Sequence, residues 1–145
     1  MIHLLGGGAY TLAGLRHLLS PALRPRTYRI TCDDAHGLDI EAYGLFAANT
    51  PTLGGGLVLP VGSDGSDGVM ELVAIHTVPR WRLLMAFVCF ARGWRLPDGT
   101  LTTWSARTVT IACSRNEAFA ADGDLVCCGR AFRLAVKPGA LRVFV

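Results

Sequence analysis

The sequence predicts a mainly β protein: a β-sandwich of about eight or nine strands, with a leading helix and one inserted amphipathic helix. Three observations carry that expectation. Short apolar or alternating segments recur, among them RTYRITC (26–32), AYGLFAA (42–48), VMELVAI (69–75) and ARTVTIAC (106–113). Turn-forming clusters separate them, notably NTPTLGGG, GSDGSDG and Asp122-Gly123, and in the second half they fall at sandwich-like intervals. Of the 145 residues, 51% are hydrophobic and 17% charged, enough for one domain with a buried core and too apolar for a disordered chain.

Residues 9–19, AYTLAGLRHLL, place Leu12, Leu15, Leu18 and Leu19 at helical spacing, and Pro21 and Pro25 end the run. Residues 1–25 are therefore a leading helix and linker, and 26–145 the β domain. In RTYRITC, Tyr28 and Ile30 share one face, with Arg29 and Thr31 on the other. Asp33 to Gly37 is a turn. AYGLFAA is apolar on both faces and reads as a central strand. Pro79 suits the first turn of a helix running to Ala91. After 106–113, a short strand at 118–121 leads to the Asp122-Gly123 hairpin turn. Strands at 125–128, 132–136 and 141–145 complete the chain.

The net charge of +3 is too small to argue for nucleic acid. The five cysteines, Cys32, Cys89, Cys113, Cys127 and Cys128, are odd in number and match no zinc spacing, so they read as free thiols in a reducing cytoplasm. The opening MIHLLGGGAYTL lacks the basic region of a secretory signal, and the longest apolar run, LLMAFVCFA (83–91), is too short to span a bilayer. The expected location is cytoplasmic. No Gly-x-Ser-x-Gly motif occurs; His3, His17 and His36 form no pair or triad, and His76 reads as structural.

Four features bear on chemistry, each with a plainer reading. In GSDGSDG, Asp64 and Asp67 either cap a turn or supply carboxylates to a hard cation. Asp124 follows the hairpin turn and is a solvated strand end or a presented base. Asn49 and Gly54, Gly55 and Gly56 form either a bend at a sheet edge or a close backbone approach to a ligand. The helix from Pro79 carries Trp81 and Trp94 near its ends and Arg80, Arg82, Arg92 and Arg95 at its flanks. That composition suits a membrane interface, or a helix packed on the sheet with its arginines in water.

The order of ANTPTLGGG, LPVGSDGSDGVMELVAI, the Pro-led helix, ADGDL and KPGALRVFV resembles the C-terminal domain of the diacylglycerol kinase and sphingosine kinase superfamily, in its bacterial soluble lipid kinase branch. No single motif is specific; their order and spacing are. The resemblance implies the substrate domain of an ATP-dependent lipid kinase. Its partners are then a lipid substrate, peripheral contact with a membrane, and either a second copy of the chain or a separate nucleotide-binding domain. ATP is expected only through such a domain, because no GGDGT motif occurs in this sequence. The family's magnesium loop maps onto Asp67, with carbonyls from Asp64 and Val69; the loop here is one residue longer after Pro60. The family's general base, a Glu in D-G-E, maps onto Asp124. Asn49 and Gly54 to Gly56 map beside the interdomain cleft, on the substrate side. The alternative is a non-catalytic, stand-alone lipid- or metabolite-binding β-domain.

Overall fold

The computed structural model describes residues 15–50, 52–53, 57–58, 65–92, 94–122 and 124–140. Residues 15–19 are helical (α1), in agreement with the leucine spacing. Among the described residues eight strands follow: β1 Arg26–Cys32, β2 Leu38–Ala48, β3 Thr52–Leu53, β4 Leu57–Val58, β5 Met70–His76, β6 Leu101–Ala106, β7 Thr108–Ala121 and β8 Asp124–Ala135. Helix α2, Arg80–Ala91, lies between β5 and β6. Six strands form one antiparallel sheet in the order β6-β5-β2-β1-β7-β8, and β3 and β4 form a separate two-stranded ribbon. The mainly β expectation holds.

Several boundaries differ from the sequence reading. β2 begins at Leu38, because its first residues pair with β1, Leu38 opposite Ile30 and Ala42 opposite Arg26. A register shift between Ala42 and Gly44 then hands the strand over to β5. β6, LTTWSA, was not anticipated; it lacks an apolar alternation and is held by its ladder to β5, from Met70–Ala106 to Ile75–Leu101. The pairs of short segments expected on either side of Asp122-Gly123 are two long strands, β7 and β8, with register shifts along the ladder. The segment 141–145 lies outside the described residues.

The sheet cannot be flat. β6 and β7 stand at the first and fifth positions of the order, yet Arg107 alone separates Ala106 from Thr108. Four strand spacings amount to roughly 19 Å in a flat sheet. Two residues of chain span no more than about 7 Å. The sheet therefore curls over until the start of β7 meets the end of β6. The core records that closure: Met70, Leu72, Ala74 and Ala106 from one limb pack in a single cluster with Tyr28, Ile30, Val109 and Ile111 from the other. Tyr28 and Ile30 are buried as their alternation predicts. β5 is buried along most of its length, which explains its unbroken apolar sequence.

Asp33 fastens the corner. Its φ of 51° is left-handed, a conformation Asp tolerates better than most residues. Its Oδ1 accepts from the backbone N–H of Arg107 at 3.0 Å and of Thr108 at 2.9 Å. Its own N–H donates to the Thr108 carbonyl at 2.7 Å, and the Val136 N–H donates to the Arg107 carbonyl at 2.9 Å. β1, the β6–β7 corner and the end of β8 thus meet at one point.

Candidate functional site

The ladder between β2 and β5 ends with Ala48 opposite Glu71. Asn49 and the residues that precede β5 therefore emerge at the same end of the sheet. Gly65 sits directly against Asn49: a Cβ there would stand 3.3 Å from the Asn49 carbonyl oxygen and 3.9 Å from its side-chain nitrogen. Gly68 has a φ of +76°, and a Cβ there would meet the Pro138 ring at 3.3 Å. Glycine suits both positions, the first because a side chain would crowd the Asn49 backbone and the second because of its backbone conformation. Stretches widely separated in sequence, the Asn49 loop, the aspartate loop and the Lys137-Pro138-Gly139 turn, thus converge.

Within that cluster Asp67 is exposed, and its Oδ1 accepts from the Val69 N–H at 2.9 Å. The turn chemistry expected of an Asp-Gly pair is present. It uses one of the carboxylate's roughly four lone-pair directions, so the group retains capacity for a cation. Magnesium is commonly held by one or two carboxylates with several waters. A cation held at this loop would draw on the free lone pairs of the Asp67 carboxylate, with water and neighbouring backbone carbonyls filling its shell. No group of three or more His, Cys, Asp or Glu residues is gathered for a metal among the described residues. Asp64, Gly54, Gly55 and Gly56 lie outside the described residues. Glu71, buried four positions beyond Asp67, is engaged elsewhere: the Ser105 hydroxyl lies 2.8 and 3.0 Å from its two oxygens. An acidic residue inside the apolar run MELVAI was the sequence signal for such a partnered carboxylate.

Asp124 opens β8 opposite Ala121, across the tight turn in which Asp122 takes a φ of 51°. Its side chain is exposed and forms no ion pair among the described residues. Leu125 and Val126 are also exposed, at 66% and 60%, so neither face of the strand is covered at this tip. The tip lies at the other end of β8 from the aspartate loop. The hairpin base carries Pro138, which touches Gly68, whereas Asp124 lies at the far end of the twelve-residue β8. That is on the order of 35 Å along the strand. The structure brings Asn49, Asp67 and Val69 together and holds Asp124 apart from them.

His76, Cys32 and Cys113 read as structural. His76 Nε2 lies 2.6 Å from Thr102 Oγ1. Burial pushes the Cys32 thiol up, with the Asp33 charge adding to it, and burial with Glu117 does the same for Cys113. Neither thiol is activated as a nucleophile. All five cysteines are free. No helix among the described residues is long and apolar enough to cross a membrane.

Residues 2–145 match the family described as the YegS C-terminal NAD kinase beta sandwich-like domain. The chain belongs to that family. Among curated proteins, this YegS C-terminal-type domain is 29% identical over 121 residues to diacylglycerol kinase of Mycobacterium tuberculosis (strain ATCC 25618 / H37Rv), covering 83% of this chain and 38% of that protein. The fold is shared with a diacylglycerol kinase from Bacillus anthracis str. Sterne, at a TM-score of 0.60 and 15% identity over 94% of this chain and 49% of that one. A candidate diacylglycerol kinase from the same strain aligns at a TM-score of 0.65 and 14% identity, over 91% of this chain and 47% of its own. The domain thus spans under half the length of each of these relatives.

Proposed function

We propose that this YegS C-terminal-type domain is the lipid side of an ATP-dependent lipid kinase of the diacylglycerol kinase kind, with Asp124 as general base. The observation that supports the reading is the turn from β7 into β8, beyond which the Asp124 carboxylate stands exposed with no ion pair to a described arginine. A carboxylate so placed takes the proton of a lipid hydroxyl as that oxygen attacks the γ-phosphorus of ATP. The bond from phosphorus to the β,γ-bridging oxygen breaks, and ADP leaves. Positioning of the nucleotide and neutralisation of its phosphates fall to a separate domain. Magnesium at the Asp67 loop would supply a fixed charge that orders the connection into β5, at a distance from the transferred phosphoryl group.

Incubated with ATP, magnesium and mixed diacylglycerols, the chain alone is expected to phosphorylate no lipid above background. Activity is expected when a GGDGT-bearing nucleotide-binding domain is supplied, fused or in trans. Phosphorylation by the chain alone, lost in Asp124→Asn, would overturn the division of labour.

One observation favours a second reading, that of a lipid- or metabolite-binding domain without chemistry. Asp124 stands at an exposed hairpin tip beside the uncovered Leu125 and Val126, at the other end of β8 from the aspartate loop, as a plain solvated turn residue would. Lipid binding by the chain, with no activity when the nucleotide domain is supplied, selects that reading.

A further inference from the structure

Helix α2 is apolar on two sides. Leu83 and Ala86 are buried at 4% and 5%, and they mark its inner face. On the opposite side, Trp81, Leu84, Met85 and Val88 form a stripe at helical spacing, exposed at 65%, 36%, 52% and 40%. A helix that only packs on a sheet presents polar residues outward; this one does not. Arg80 precedes the stripe; it is exposed, and one of its guanidinium nitrogens donates to the Leu23 carbonyl at 3.3 Å, which leaves its other N–H groups for a headgroup. Arg92 continues the stripe one turn beyond Val88, its guanidinium stacked 5.0 Å from the ring of Trp94, itself 58% exposed. The helix carries no acidic residue.

We propose that the outer face of α2 docks on a lipid surface bearing anionic headgroups. Twelve residues give a helix about 18 Å long, too short to span a bilayer and suited to lying in its interface. The apolar stripe enters the acyl boundary, Trp81 and Trp94 sit at headgroup depth, and Arg80 and Arg92 meet headgroup phosphates. A second copy of the chain fits the same face poorly. A twofold axis through the middle of the stripe would bring Arg80 of one copy against Arg92 of the other, so like charges would oppose at both ends. The inference deepens the lipid-kinase reading by naming the surface that reaches the substrate, yet it needs neither ATP nor Asp124.

The test is vesicle binding by the whole chain without nucleotide, comparing phosphatidylglycerol-containing vesicles with vesicles of phosphatidylcholine alone. The chain is expected to co-sediment with the anionic vesicles, and brominated acyl chains in them are expected to quench its tryptophan emission. The double variant W81S/M85S is expected to bind on the order of tenfold more weakly or worse. R80Q/R92Q is expected to lose on the order of fivefold per arginine on anionic vesicles and little on neutral ones. All four positions are solvent-facing, and an unchanged melting temperature verifies each fold. Equal binding to both vesicle types, or unchanged binding by either double variant, overturns the proposal. So does a chain that ignores vesicles but forms a dimer that W81S/M85S dissolves. Loss of vesicle binding with a working kinase reconstitution would sink this inference alone; the converse would sink only the catalytic reading.

Discussion

At the scale of single residues, Asp33 has the clearest structural task. One carboxylate oxygen satisfies two backbone donors at the corner where the sheet turns over. Asp33→Ala leaves both donors to water and is expected to cost about 1 kcal/mol, read as a lower melting temperature. Asp33→Asn should cost less, since an amide oxygen still accepts and Asn tolerates the left-handed backbone. Asp67 makes a separate prediction. If its loop holds magnesium, saturation at about a hundred times the dissociation constant adds roughly 2.7 kcal/mol. Melting curves with and without millimolar magnesium should therefore diverge for the wild type and coincide for Asp67→Ala. No shift in the wild type, or an equal shift in the variant, counts against the site. The Asp67 turn was legible in Asp-Gly pairing. The corner role of Asp33 was not, because its partners stand more than seventy positions away in the chain.

At the scale of elements, the long β7–β8 hairpin is the part least supported by the core. Among the described residues its outer half pairs only with itself, since β1 covers β7 from Val109 to Cys113. Among the described residues an ion pair ties it back: Arg26 at the head of β1 meets Glu117, whose side chain is 17% exposed. Hydrogen bonding to Glu117 holds the Arg26 guanidinium above its ordinary value. Glu117→Gln is expected to speed amide exchange several-fold over 117–129 and to leave β2 and β5 unchanged. Uniform acceleration across the sheet would show instead that the pair supports the whole fold. The strands that alternate cleanly, such as β1 and the first half of β7, were readable from side-chain period alone. β6 was not, because Thr-Thr-Trp-Ser offers no apolar rhythm and its place is set by a partner strand.

At the scale of the whole molecule, closure of the sheet and family membership point the same way. The order of turns and apolar runs was enough to expect a sandwich-like domain of lipid-kinase type. It could not show that the Asn49 loop, the aspartate loop and Pro138 meet, because that contact depends on the sheet curling over its core. Tyr28 in that core reports on the closure. Burial, with Glu117 adding, pushes its phenol above the usual value of about 10. The folded state thus holds this proton more tightly than the unfolded chain. The resulting stability is fully present below about pH 10 and is lost as pH rises through the folded value. Cys32 and Cys113, raised by burial, act in the same sense. Tyr28→Phe should therefore flatten the alkaline fall in melting temperature; an unchanged slope would mean the phenol is not buried as the structure shows. The most direct test of the central claim is the lipid kinase rate of the domain joined to a GGDGT-bearing nucleotide domain, with Asp124 varied. Asp124→Asn is expected to lose on the order of 10² to 10⁴ in kcat, while Asp124→Glu, restoring the longer carboxylate, keeps or raises it. Equal rates for wild type and Asp124→Asn would contradict the assignment.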